Sequence, residues 1–143
     1  MDNENSIGRW VSILYRLGQS YLDRKLKEID LSCGQFPFLM LLFKKDGVSQ
    51  DSLAKSLCID KGTTARAVKK LEASGYVKRV ECFEDKRINK VILTQKANEI
   101  EPQIELIISQ WTELLTKDFE LEEKEIALKL LKRMAGNVLD CNC

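Results

Sequence analysis

Two short amphipathic segments followed at once by two β-branched runs restrict the fold most, and all four lie within residues 49–94. Ser49 can accept a hydrogen bond from a free amide of a first helical turn, and apolar residues then recur on one face up to Leu57. Asp60 is a good N-cap for a second helix, which Gly75 stops. The sequence therefore predicts two short helices joined by a tight turn.

The β-branched runs are Tyr76–Cys82 and Lys90–Thr94, and a charged loop separates them. Their composition and length predict a β-hairpin with a charged tip. A helix pair followed directly by such a hairpin is typical of a winged helix-turn-helix, whose wing could place Lys86 and Arg87 near a minor groove.

The net charge of +1 hides an uneven distribution. Residues 49–94 carry ten basic and six acidic side chains, whereas residues 95–143 carry six basic and ten acidic ones. A cationic block inside a nearly neutral chain favours a local surface for a polyanion. A basic face that is merely solvated fits the charge count equally well.

The second of the two helices has two different faces. At about 100° per residue, Ala65, Val68 and Leu71 fall in one arc and are expected to pack. The opposite arc is expected to hold Thr63, Arg66, Ala67 and Lys70, with Lys69 beside it. Small residues permit close approach of a helix to the bases, arginine can donate two hydrogen bonds to guanine, and lysine reaches phosphates. These residues favour a helix that enters a DNA major groove, and a surface helix with solvated lysines is the alternative.

Apolar residues spaced three and four apart predict a long helix over Ile7–Ile29 and a buried helix over Gly34–Lys45. The last third predicts two more helices, and Pro102 should bend the first of them or mark a later start. Because these terminal helices are too apolar on one side to stand alone, we expect a dimer interface; completion of a monomeric core is the alternative. The expected fold is mainly α with a small β-hairpin wing.

The composition argues against an enzyme. Histidine is absent, and no nucleophile-base pair, metal-ligand cluster or phosphate-binding glycine loop is recognisable, so no cofactor or metal is expected. The longest uncharged run, Leu31–Phe43, is too short to cross a membrane, and the acidic, polar start is unlike a signal peptide. We therefore expect a cytoplasmic protein without a membrane partner.

Five cysteines, an odd number without a Cys-x-x-Cys pair, favour reduced thiols over a disulfide framework. Cys58 lies beside the predicted recognition helix and could sense thiol reagents if its pKa were lowered. Cys141 and Cys143 could together bind a soft metal. Idle thiols are the commoner case.

The segments Ser49–Leu57 and Asp60–Arg79, the loop sequence Asp85-Lys-Arg87 and the pair Leu93-Thr94 resemble the MarR family of transcriptional regulators. The resemblance extends over nearly the whole chain. It implies one MarR-type domain over residues 1–143. In this reading residues 30–95 form the DNA-binding core, and residues 5–29 and 96–140 form dimerisation helices. It also implies a homodimer that binds pseudo-palindromic promoter DNA as a repressor and is released by a small anionic or phenolic compound.

In the resemblance, Thr63, Arg66 and Lys70 match outward positions of the recognition helix, while Arg87 and Asp85 match the wing arginine and its acidic partner. The candidate DNA-binding residues are Ser49, Gln50, Lys61, Gly62, Thr63, Thr64, Arg66, Ala67, Lys69, Lys70, Asp85, Lys86 and Arg87. The candidate ligand-binding residues are Tyr15, Arg16, Cys33 and Phe36, although a surface salt bridge would equally explain the arginine. A winged-helix protein-interaction module without specific DNA readout and a thiol-responsive regulator are the alternative functions.

Overall fold

The structure of the chain, a computed structural model, describes residues 3–141. The helices of this part are α1 (Ile7–Leu26), α2 (Phe36–Lys44), α3 (Gln50–Leu57), α4 (Lys61–Ala73), α5 (Gln95–Leu115) and α6 (Leu121–Cys141). The strands are β1 (Val48–Ser49), β2 (Val77–Glu81) and β3 (Asn89–Leu93). Contacts divide the chain into two compact units, with the boundary between Ile108 and Ser109.

The three strands form one antiparallel sheet in the order β1-β3-β2. The predicted hairpin is confirmed, with Val77 opposite Leu93. Strand β1 was not predicted. It pairs with the edge of β3 that does not face β2, and Val48 lies opposite Val91. The fold is therefore mainly α with a small three-stranded sheet, the architecture of a winged helix-turn-helix.

The core of the first unit lies where α2, α3, α4 and β3 meet. Phe38, Leu39 and Leu42 of α2 are fully buried, as are Leu53 of α3 and Val91 of β3. Burial of a large apolar side chain contributes about 1.5–3 kcal/mol. This packing holds α4 against the rest of the unit by its apolar face and leaves its other face to solvent.

The junction between α4 and the wing is fixed by Gly75 and Tyr76. Gly75 has a φ of +81°, a left-handed conformation that favours glycine. The buried Tyr76 hydroxyl donates a hydrogen bond to the carbonyl of Ile29, and Lys96 Nζ lies 4.5 Å from the centre of the tyrosine ring. Burial raises the pKa of Tyr76, and the nearby Asp30 carboxylate adds to that effect. These contacts tie the segment that follows α1 and the start of α5 to the end of α4.

Several helix bounds differ from the predictions. α1 ends at Leu26 and not at Ile29, because a 3-10 turn over Lys27–Ile29 follows it. α2 begins at Phe36, two residues later than expected, with a proline in its first turn. Pro102 does not mark a later start, since α5 begins seven residues before it.

Two helices expose many apolar side chains, α1 in the first unit and α6 in the second. No described residue of α6 is buried, and its exposed apolar residues are Leu121, Ile126, Leu128, Leu130, Leu131, Val138 and Leu139. Those of α1 are Ile7, Trp10, Val11, Leu14, Tyr15 and Leu17. None of the helices within residues 3–141 is long and apolar enough to span a membrane.

Candidate nucleic-acid interface

The first turn of α4 is ordered by its cap. Asp60 Oδ1 accepts a hydrogen bond from the Thr63 amide at 2.8 Å, and Asp60 Oδ2 accepts one from Thr63 Oγ1 at 2.7 Å. Arg66 Nη2 also donates to Thr63 Oγ1, at 3.0 Å. The Thr63 hydrogen bonds lower the pKa of Asp60, so its capping contribution is present at neutral pH and is lost only as the pH falls through that lowered pKa. Thr63 and Arg66 are thereby preorganised next to each other.

Most of the predicted recognition residues lie on the exposed face of α4, which carries Lys61, Gly62, Thr63, Arg66, Lys69 and Lys70. Two predicted positions need correction. Thr64 and Ala67 are buried, and the Thr64 hydroxyl donates to the Asp60 carbonyl at 2.9 Å. The packed arc is centred on Thr64, Val68 and Leu71, with Ala67 at its edge, because these positions repeat every three or four residues. Neither side chain is available to a base.

The start of α3 and the base of the wing enclose a cleft of about 120 Å³. Its lining residues are Ser49, Gln50, Asp51, Arg87, Ile88 and Asn89. Ser49 caps α3 as predicted, accepting from the Ser52 amide at 3.1 Å. Gln50 Oε1 is buried and accepts no hydrogen bond from the described residues.

An exposed ion pair, Asp51 with Lys61 at 3.7 Å, joins the starts of α3 and α4. Because Asp51 also lines the cleft with Arg87, the starts of both helices lie close to the base of the wing.

The wing tip is a closed loop over residues 83–87. The Cys82 amide donates to the Ile88 carbonyl at 2.8 Å and closes it. Asp85 Oδ1 accepts from the Arg87 amide at 3.0 Å and lies 3.3 Å from Arg87 Nε. The Arg87 side chain is 91% exposed, so this pairing orients the guanidinium without burying it. Phe83 is fully exposed in the same loop. It was not among the predicted site residues, although an aromatic residue in a charged loop could have been identified as a candidate from the sequence.

None of the four candidate ligand residues lines the cleft of about 120 Å³. Tyr15 Oη accepts from Gln19 Nε2 at 2.8 Å, and Arg16 Nη1 donates to Ser12 Oγ at 2.5 Å. Cys33 Sγ donates to the Gln19 carbonyl at 3.2 Å. Both α1 residues are exposed, and a neighbouring serine, in place of an acidic partner, holds the arginine.

A larger cleft of the first unit lies elsewhere, between the segment that joins α1 to α2 and the end of α4. Its volume is about 370 Å³, and its lining residues are Lys27, Asp30, Leu31, Ser32, Gln35, Lys70, Ala73 and Ser74. Asp30 Oδ2 accepts a hydrogen bond from Ser74 Oγ at 2.9 Å, and the charged groups of the cleft are this carboxylate and the ammonium groups of Lys27 and Lys70. Lys70 belongs both to this cleft and to the exposed face of α4.

The described thiols lie in different environments. Burial, with the Asp23 carboxylate beside it, raises the pKa of Cys33 to about 12, so this thiol is protonated at neutral pH. Cys58 is exposed at the left-handed end of α3. Within residues 3–141 no three metal-ligating side chains lie close enough to hold an ion, and Cys143 lies outside the described residues.

Comparison with known proteins identifies the family. The model of the MarR family matches residues 31–88, which contain α2, α3, α4 and most of the wing. The HTH-type transcriptional regulator YybA of Bacillus subtilis (strain 168) is 31% identical over 134 residues, which cover 94% of this chain and 89% of that protein. A MarR transcriptional regulator from Methanosarcina mazei Go1 superposes with a TM-score of 0.90 at 42% identity, over 94% of this chain and 97% of that one. The chain belongs to the MarR family.

Other solved MarR proteins share this architecture. A MarR family transcriptional regulator from Listeria monocytogenes, complexed with 26mer DNA, has a TM-score of 0.88 at 26% identity, over 95% of this chain and 91% of that one. These relatives are transcriptional regulators and not enzymes. The fold and the family expected from the sequence are therefore confirmed.

Proposed function

We propose that this MarR family member is a cytoplasmic, homodimeric repressor that binds a specific double-stranded promoter sequence and is released by a small anionic or phenolic ligand. The observation that carries the proposal is the shared surface of α4 and the wing. Exposed Thr63, Arg66 and Lys70 lie on α4, and exposed Lys86 and Arg87 lie on the wing. The net charge of +4 in residues 49–94 matches a polyanionic partner.

In the proposed complex, α4 lies in the major groove. The Arg66 guanidinium can donate two hydrogen bonds to a guanine edge, and Lys69 and Lys70 can neutralise phosphates. The paired and exposed Arg87 is suited to a narrow minor groove, where the potential is most negative. The Listeria monocytogenes neighbour complexed with 26mer DNA supports DNA as the partner.

Dimerisation is proposed through the terminal helices, residues 5–29 and 96–140. The large exposed apolar surfaces of α1 and α6 support it, because soluble chains seldom leave such surfaces in water. A two-fold dimer presents two copies of α4 to two half-sites, which accounts for a pseudo-palindromic operator.

Ligand release is proposed through the cleft of about 370 Å³ that Lys27 and Lys70 line. Two ammonium groups, neighbouring hydroxyls and the apolar Leu31 and Ala73 suit a small aromatic anion. A ligand carboxylate and a DNA phosphate would compete for the same Lys70 ammonium. The ligand then binds the DNA-free protein more tightly than the DNA-bound protein, and this difference in affinity shifts the equilibrium toward the DNA-free state.

The function is tested by fluorescence anisotropy over a salt series, with duplex DNA from upstream of the gene and a scrambled duplex of equal length. The proposal expects a preference for the native duplex of at least about 1000-fold. Equal and steeply salt-dependent binding to both duplexes would contradict specific recognition of that region and favour the protein-interaction alternative.

Arg66→Ala is expected to weaken binding to the native duplex by about 1–3 kcal/mol, roughly 5- to 150-fold in Kd, because a base contact is lost. Binding to the scrambled duplex should change much less. The same anisotropy assay measures both. Arg24→Ala, which removes an exposed arginine from α1, is the control and should bind as the wild type does. Equal affinity of the Arg66 variant and the wild type would contradict the placement of α4.

Lys27→Gln is expected to abolish the effect of an aromatic carboxylate without changing DNA affinity, because Lys27 lies in the cleft but not on α4. With benzoate as the probe, the wild type should lose about 10-fold in affinity for the native duplex at saturation, a typical coupling. Neutral benzamide should have no effect. Lys44→Gln, outside the cleft, should respond to benzoate like the wild type, and a response of the Lys27 variant would locate the ligand elsewhere.

A further inference from the structure

The wing tip carries Phe83, a large aromatic side chain that the proposed contacts do not use. It is fully exposed, although the hydrogen bonds of Cys82 with Ile88 and of Ile88 with Asp85 hold the loop that contains it. A single exposed apolar side chain is ordinary on a protein surface. The position of this one matters, because Arg87 lies four residues away in the same closed loop.

We propose that Phe83 is a wedge that inserts between two base pairs from the minor groove, next to the position at which Arg87 enters the same groove. The inference rests on the proposed DNA-binding function and adds a specificity-determining residue to it. Apolar side chains inserted in this way partly unstack a base step and kink the duplex. The aromatic face gains stacking partners there that water does not provide.

The charges around the tip favour DNA over a protein or a second copy of the chain as the partner of Phe83. Lys86 and Arg87 are exposed on the same loop, and Asp85 already accepts the amide and lies against the guanidinium of Arg87. Among the described residues of the tip, Glu84 is the carboxylate that forms no ion pair, and it should oppose approach to phosphate. The tip thus combines an apolar side chain with two exposed cations, the pairing that minor-groove wedge proteins use.

Insertion has two consequences that phosphate contacts lack. The contribution of Phe83 to affinity should be independent of salt, because no counterion is released by an uncharged side chain. The step that opens should be a flexible pyrimidine-purine step, TA or CA/TG, since these unstack most easily. In a two-fold dimer, the step should occur once in each half-site.

The test uses the full chain and the native duplex, with 2-aminopurine in place of adenine at each pyrimidine-purine step in turn. The wild type should raise the fluorescence of one position in each half-site, since unstacking relieves quenching. Phe83→Ala should remove that signal and weaken binding about 10-fold with an unchanged salt slope. Phe83→Trp should restore both. Arg87→Ala should instead reduce the salt slope by about one.

Several results would overturn the wedge. One is wild-type affinity and wild-type fluorescence in Phe83→Ala. Another is weaker binding of Phe83→Ala although the wild type raises no 2-aminopurine signal, since this would indicate contact without insertion. A change of oligomeric state in Phe83→Ala, seen by sedimentation, would assign the side chain to a protein contact. Glu84→Gln is the control and should bind more tightly with the same fluorescence pattern. Failure of the wild type itself to prefer the native duplex would contradict the proposed function and not the wedge alone.

Discussion

Leu131→Glu is expected to convert the protein to a monomer and to lower its affinity for the native duplex by about 10²- to 10⁴-fold. The side chain is 54% exposed near the middle of the apolar surface of α6, so a carboxylate there leaves the core of the chain intact but opposes burial against a second copy. The loss is large because, once one subunit of a dimer is bound, the second subunit is at a high effective concentration near the other half-site. A monomer lacks this effect. Sedimentation velocity and anisotropy measure the two effects.

Lys129→Gln is the matched control for this prediction. It makes the same change in net charge two residues earlier in α6, on the opposite side of the helix from Leu131. It should remain dimeric and bind DNA with the wild-type affinity. If Leu131→Glu were as dimeric as the wild type, the apolar surface of α6 would have another role, and the dimer would have to form elsewhere.

Phe38→Ala is expected to lower the free energy of unfolding by about 3–5 kcal/mol. Phe38 is completely buried in α2, where the unit packs α2 against α3 and β3, and the truncation removes apolar burial and leaves a cavity. Because native domains are stable by only about 5–15 kcal/mol, the variant should unfold at a much lower urea concentration.

Phe83→Ala is the control for that measurement, because it makes the same chemical change at a fully exposed site. Its urea midpoint should equal that of the wild type. The three proteins are compared at one chain concentration, since dimerisation contributes to apparent stability. A midpoint for Phe38→Ala within error of the wild type would mean that α2 is not the centre of the core.

The features that the sequence predicted best depend on local contacts. Asp60 caps α4 and Gly75 follows its end, as expected, since capping bonds and left-handed turns involve residues close in the chain. β1 was missed because two residues form a strand only through pairing with Val91, more than forty positions away. The 3-10 turn after α1 was also missed, because its apolar spacing continues that of the helix.

The candidate site was predictable to a similar extent. Charged residues of α4 and the wing are exposed as expected, because lysine and arginine are rarely buried. Thr64 and Ala67 were misplaced because small residues fit either side of a helix. The cleft of about 370 Å³ was not predicted, because Lys27 and Lys70 come together only in the folded chain and no sequence pattern links them.

The contacts around Tyr76 have a mechanical consequence. Its hydroxyl donates a hydrogen bond to the carbonyl of Ile29 in the 3-10 turn after α1, while Lys96 Nζ donates to the Ser74 carbonyl at 2.6 Å and thereby joins α5 to the end of α4. The segment after α1, the end of α4 and the start of α5 are thus joined by hydrogen bonds within the first unit. We therefore expect a displacement of the segment after α1, or of the start of α5, to change the orientation of α4 as well.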